Sequence, residues 1–230
     1  EIHWRDWSSD VCSSDLVAVI TGGGAISDTF SHLSFDKMIF TGSTNVGKTV
    51  MAAAAENLVP VILELGGKSP VLVHPSSDMA DVAERIAVGK LWNAGQTCVA
   101  PDYMFLPKGK TAEFLGHYEQ YIKQMYPSLR DNQDYTSIIN DKQYNRLQGY
   151  LDNAREQGAQ LIEINPQNEL LDDVRKVAPT VLTGVTTEMR IMKEEIFGPL
   201  LPIMEYEQID DVIEFINSRP RPLALYYFDF

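Results

Sequence analysis

Two residues of this chain have the type and setting for covalent chemistry, Cys98 and Glu64. Glu64 closes the apolar run Val61-Ile62-Leu63 and is followed by Leu65-Gly66-Gly67. That pattern predicts a buried strand delivering a carboxylate to a tight turn. Thirty-four positions later Cys98 follows Gly95-Gln96-Thr97, after a segment of helical periodicity. A thiolate in such a turn attacks an electrophilic carbon, and a carboxylate at a strand end then activates water. The plain alternatives are a structural cysteine and a carboxylate tied to backbone amides.

A different chemistry is written in Gly42-Ser43-Thr44-Asn45-Val46-Gly47-Lys48-Thr49, which satisfies the G-x-x-x-x-G-K-[ST] phosphate-loop pattern. It lies between a predicted strand and a predicted helix, where backbone amides attract phosphate. The corresponding function is a P-loop nucleotide hydrolase. No convincing second strand ending in a metal-binding aspartate accompanies it, and it leaves Cys98 unexplained. On the first reading Lys48 is a solvent-facing helix residue.

The elements that must position these groups alternate between strand and helix. A strand over Val17–Thr21, a weak helix over Ala25–His32 and a strand over Lys37–Phe40 come first. A Gly-rich turn (42–47), a helix over Lys48–Asn57 and a strand over Val59–Glu64 follow. The last strand–turn–helix–strand run forms a parallel β–α–β unit with ligand space at the C-terminal ends of its strands. Beyond Gly66, strands are predicted at 71–73, 103–106, 159–164, 177–182, 200–204 and 223–228. Helices are predicted at 79–93, with Asp78 as cap, and at 111–126, 141–157 and 209–217. The fold class is α/β.

With 32 acidic and 19 basic residues the net charge is −13, which argues against nucleic-acid partners. Two cysteines, Cys12 and Cys98, provide no disulfide framework, and His32, His74 and His117 are scattered without ligand spacing, so no metal site is expected. No apolar run approaches the ~20 residues that span a bilayer. Residues 1–16 lack the pattern of a signal peptide and read like a translated sequencing adapter, so they are expected to be a non-native leader, leaving Cys98 as the native thiol. The chain stops inside the predicted strand 223–228, and both ends read as cut.

Glu64 to Pro70, Gly95 to Cys98 and Glu194-Glu195-Ile196-Phe197-Gly198-Pro199 resemble the signature segments of the NAD(P)-dependent aldehyde dehydrogenase superfamily. Phe40 to Thr44 and Arg219 to Tyr226 extend the likeness, which runs from about Val17 to Phe230. Together with Cys98 to Tyr103, the last segment resembles the branch of coniferyl-aldehyde, class 3 and fatty-aldehyde dehydrogenases. The resemblance implies an aldehyde dehydrogenase-like fold, with residues 17–65 the C-terminal part of a Rossmann-like NAD(P)-binding domain and 66–230 a catalytic domain, both incomplete. It implies oxidation of an aromatic or long-chain aldehyde, coniferyl aldehyde for example, with NAD or NADP. Cys98 is then the nucleophile, whose own N–H helps hold the oxyanion, and Glu64 the general base. A glutamate at position 64 favours hydrolysis over transfer to coenzyme A. Gly42 and Ser43 are placed near the cofactor pyrophosphate, Glu195 on ribose hydroxyls and Phe197 by the nicotinamide ring. Without the resemblance, Phe197 reads as core and Glu195 as surface. The family's second oxyanion donor, an upstream asparagine, would precede Val17, so this chain alone is expected to be inactive, a non-catalytic fragment. The likeness further implies a cytoplasmic homodimer or homotetramer.

Overall fold

The computed structural model describes residues 18–230, so the expected leader at 1–16 lies outside the described residues. Contacts divide the chain into two compact units, residues 1–64 and 65–230.

In the first unit, helix α1 (Gly24–Ser31) precedes strand β1 (Met38–Gly42), helix α2 (Thr44–Ala55) and strand β2 (Val61–Leu65). β1 and β2 are hydrogen-bonded neighbours. Met38, Val50, Ala54 and Val59 form a small core with Phe40 and Val61 packed against it. The strand expected over Val17–Thr21 does not form in its described part, residues 18–21. Val19 and Ile20 are exposed there and join no ladder. Apolarity alone does not make a strand without a neighbour to satisfy its N–H and C=O groups.

Helix α2 starts four residues earlier than the sequence predicts. Ser43 is its N-cap, its hydroxyl accepting from the Val46 N–H at 3.4 Å. The Gly47 N–H already donates to Ser43 O at 2.9 Å, so the turn expected there is the helix's first turn.

The second unit is built on a six-stranded sheet. Its strands are β3 (Pro70–Val73), β4 (Tyr103–Pro107), β5 (Gln160–Glu163), β6 (Thr180–Thr183), β7 (Leu200–Tyr206) and β8 (Tyr226–Phe228). They lie in the order β5-β6-β7-β4-β3-β8. Every pairing is parallel except β5 with β6. Side chains alternate between two buried faces, as expected for a mostly parallel sheet covered on both sides. Val71, Val73, Met104 and Leu106 pack on helices α3 (Met79–Leu91) and α4 (Thr111–Met125) through Val82, Ile86, Phe114 and Ile122. Leu72, Tyr103, Phe105 and Leu182 face helices α5 (Asp141–Glu156) and α7 (Ile209–Asn217) through Leu147, Leu151 and Val212. Asp78 caps α3 as predicted, its carboxylate accepting from the Ala80 N–H at 2.8 Å.

Strand order decides where the motifs meet. β7, β4 and β3 are adjacent and parallel, and the segments that enter them are 194–199, 95–102 and 66–69. Three stretches far apart in sequence therefore converge at the N-terminal ends of three neighbouring strands.

Candidate active site

The thiol sits on a turn that its own residues force into shape. After α3 the chain makes a short 3-10 turn in which Asn93, Ala94 and Gly95 all have positive φ (52°, 51° and 72°). Gln96 locks it from outside. Its amide nitrogen donates to Asn93 O and Ser137 O, both at 3.1 Å, and its carbonyl accepts from the Ile139 N–H at 3.0 Å. Cys98 follows in the exposed part of the turn as a free thiol. Its N–H is taken up by no acceptor among the described residues. The Tyr226 hydroxyl donates to the neighbouring Val99 carbonyl, tying the turn to β8.

Gly95 lets this turn touch the segment before β7. A Cβ there would lie 2.4 Å from Gly198 O, at a φ that side chains rarely adopt. Gly66 lies under Glu195, where a Cβ would meet Oε1 at 2.1 Å. The two glycines differ in what must yield, backbone at Gly95 and the end of a flexible side chain at Gly66. Gly95→Ala is expected to cost ~2–4 kcal/mol from left-handed strain plus overlap, and Gly66→Ala well under half of that. Urea unfolding of the two variants measures the contrast. Equal losses would mean that Glu195 is held as rigidly as backbone.

Glu195 and Phe197 stand on a short helix and loop, α6 (Arg190–Lys193) and residues 194–199. With no ladder available, cationic side chains satisfy the backbone carbonyls. Lys68 Nζ donates to Ile191 O at 2.8 Å and Glu194 O at 2.9 Å. Arg219 donates to Met192 O at 2.5 Å. The Arg146 guanidinium donates to Glu195 O at 3.0 Å and Ile196 O at 2.7 Å, and to the Tyr150 hydroxyl, which donates to Glu194 Oε2 at 2.9 Å. So held, Phe197 keeps φ +48° with its side chain partly exposed, a strained conformation of the kind found at functional sites. Glu195 is half-buried. Its Oε1 is inaccessible and has no hydrogen-bond partner among the described residues. Burial pushes its carboxyl up, with the charge of Asp102 adding to the rise and the Gly67 N–H, Arg146 and Lys68 opposing it. An unpartnered carboxylate oxygen closed off against Gly66 is unusual, and it can meet a ligand hydroxyl only when the side chain turns outward.

Beneath the turn lies a buried ammonium that the sequence reading did not single out. Lys90 is 1% exposed and donates to Pro101 O at 2.8 Å. Burial lowers its pKa to about 8, against the opposing pull of Asp102. Below about pH 8 Lys90 is charged in folded and unfolded states alike, and folding bears the full cost of burying that charge. Between about 8 and the unfolded value of 10.5 the folded state loses its proton first, so stability attributable to Lys90 rises with pH. The stability of wild type relative to Lys90→Met is therefore expected to increase across pH 8–10.5 in urea titrations. A gap that is flat or shrinks over that range overturns the assignment.

The candidate residues divide between the two units. Glu64 is exposed in the second-last position of β2, Gly42 ends β1 and Ser43 caps α2, all in the first unit. Cys98, Glu195 and Phe197 belong to the second. Lys48 is exposed on α2, as expected. The phosphate-loop reading loses its loop, because Thr44 to Thr49 are regular helix. One concavity of the second unit, about 860 Å³, is lined by Arg130, Asp141, Asp173 and Arg175 and none of the candidate residues. A smaller one of about 580 Å³ touches the thiol's turn at Trp92, Asn93, Gln96 and Thr97. The smaller is the one adjoining chemistry-bearing groups. Among the described residues no cluster of His, Cys, Asp and Glu has metal-binding geometry, and no helix is long and apolar enough to cross a membrane.

The sequence pattern described as "Aldehyde dehydrogenase family" matches residues 12–228. A probable coniferyl aldehyde dehydrogenase of Pseudomonas aeruginosa is 50% identical over 226 residues, covering 98% of this chain and 47% of the relative. A coniferyl aldehyde dehydrogenase of Pseudomonas sp. is 51% identical over 214 residues, covering 92% and 44%. The substrate-bound structure of AldH from Staphylococcus aureus is 43% identical, with a TM-score of 0.85 over 91% of this chain and 45% of that one. Betaine aldehyde dehydrogenase of the same species, in complex with NAD+, is 28% identical with a TM-score of 0.81, over 91% and 43%. The chain spans about half the length of the curated relatives it matches. In sequence over nearly its whole length, and in the fold of its sheet and helices, the chain belongs to the aldehyde dehydrogenase family.

Proposed function

We propose that the protein carrying this chain oxidises an aldehyde to its carboxylic acid with NAD or NADP, and that Cys98 and Glu64 perform the chemistry on the aldehyde. The observation that carries the reading is the free Cys98 thiol on a turn packed, through Gly95 and Gly198, against the segment whose Glu195 has a buried, unpartnered oxygen. The thiolate adds to the aldehyde carbon, and the resulting oxyanion accepts from the Cys98 N–H. The nicotinamide of the bound cofactor supplies the hydride acceptor, and Cys98 is left as a thioester. Glu64 then takes a proton from water, whose oxygen attacks the thioester carbon, and the acid leaves as the thiol is restored. Glu195 would hold the ribose hydroxyls, Phe197 would pack by the nicotinamide, and Gly42 and Ser43 would hold the pyrophosphate, because the first amides of a helix such as α2 favour an anion.

The substrate class is an aromatic or long-chain aldehyde, with coniferyl aldehyde favoured by the names of the two Pseudomonas relatives. A cytoplasmic homodimer or homotetramer belongs to the same reading and rests on family likeness alone. The test is a chimera in which residues 18–228 replace the matching segment of the Pseudomonas sp. enzyme. Coniferyl aldehyde and NAD+ or NADP+ should yield the acid and one equivalent of reduced cofactor. A folded chimera that binds cofactor and makes no acid overturns the proposal.

A further inference from the structure

Asp102 lies four residues beyond Cys98, and its side chain is 4% exposed. One carboxylate oxygen forms an ion pair with Lys68, whose ammonium also holds the carbonyls of Ile191 and Glu194. The other oxygen accepts from the Ile196 N–H at 2.9 Å. The Asp102 N–H donates to Ser69 O at 2.8 Å, and the carbonyl just before it, Pro101 O, is the acceptor of buried Lys90. One residue thus bonds the three segments that enter β3, β4 and β7. None of these contacts is local in sequence: Lys68 is 34 positions from Asp102, and Ile196 is 94.

We propose that Asp102 is a positioning residue that holds the Cys98 turn and the Glu195–Phe197 segment in one register. This rests on the reading of both as parts of one active site. The backbone around Phe197 is strained, and strain persists only where surrounding contacts over-determine it. Arg146 fixes that segment from its carbonyl side, whereas Asp102 fixes it from the N–H side and is the contact that belongs to the thiol's own turn. Two buried ammoniums flank Asp102, so its charge also keeps that interior balanced. Neutralising it alone strands Lys68, whereas replacing both members of a buried ion pair by apolar groups of similar size is often neutral in stability. Stability and register can therefore be separated.

The experiment is amide hydrogen exchange on the 230-residue chain without substrate or cofactor, comparing wild type with Lys68→Met/Asp102→Leu. Its outcome does not depend on Cys98 being a nucleophile. The expected result is a melting temperature within a few degrees of wild type. Exchange should rise about tenfold or more in peptides covering 95–101 and 191–197, with 111–125 in α4 unchanged. Wild-type exchange in either of the first two peptides overturns the proposal, because Asp102 then links nothing. Equal loosening of α4 also overturns it, by making the role generally structural. Should the double variant fail to fold, Asp102→Asn decides on the same peptides. Its amide oxygen still accepts from Ile196, so 191–197 should loosen less than 95–101, and the reverse order counts against the assignment. In the chimera, the double variant should lower kcat and raise the KM for cofactor together, each about tenfold, while a purely structural loss scales the active fraction and leaves KM unmoved.

Discussion

Replacing Cys98 with serine in the chimera is expected to abolish formation of reduced cofactor, in the first turnover as well as in the steady state. Hydride cannot leave the aldehyde until its carbon has become tetrahedral and carries an oxyanion, and in the proposed mechanism the sulfur of Cys98 makes it so. A thiol forms a usable fraction of thiolate near neutral pH, whereas an unactivated serine hydroxyl does not. The substitution removes the proposed nucleophile with little change in shape, because Cys98 occupies an exposed turn fixed by Gln96 and Gly95 and not by the thiol. Cofactor affinity, followed by quenching of protein fluorescence, should stay within about threefold of the parent, since no step of cofactor binding runs through the sulfur. A stopped-flow trace that still delivers close to one equivalent of reduced cofactor would remove Cys98 from the mechanism. Loss of both turnover and cofactor binding would point instead to a damaged fold.

Those parts of the molecule that depend on local pattern were legible in the sequence. The α3 helix, its Asp78 cap and the Gly-flanked turn at Cys98 each follow from a few adjacent residues, and α7 falls at the predicted residues. Gly158, with φ +90°, stops α5 where expected. The start of α2 was also legible, in the cap signal of Ser43 before Thr44, but the glycines at 42 and 47 drew the boundary four residues too late. Other features have no local trace. The apolar residues around Val19 and Ile20 read as a strand because periodicity does not say whether a partner is present. Lys68 looks like the charged residue of a loop, yet it is nearly buried because its carboxylate partner arrives on the segment that enters a different strand. Lys90 reads as the basic residue that commonly ends a helix, and only packing against the 98–102 turn makes it a buried ammonium. The convergence of three motifs at the N-terminal ends of β3, β4 and β7 is a property of strand order. Matching the signature segments to a family identifies them without saying what brings them together.

Glu64→Gln in the chimera should separate the two halves of the reaction. Glutamine keeps the length and planarity of the side chain, and its exposed position at the end of β2 imposes no burial cost on the change. What it loses is the ability to take a proton from water. Addition of the thiolate and loss of hydride need no base at this position, so a burst of up to one equivalent of reduced cofactor per site is expected. Hydrolysis then stalls, and steady-state turnover should fall by ~10²–10⁴-fold, the usual contribution of a general base. The thioester that accumulates should be trapped by hydroxylamine and found by mass spectrometry on the peptide containing Cys98. If Glu64 also accepts the proton from the Cys98 thiol, the burst slows without losing amplitude, and raising the pH restores its rate while leaving the slow phase slow. Steady-state turnover within a few-fold of the parent would show that another group activates the water, and Glu64 would then be a strand-end carboxylate with no part in hydrolysis.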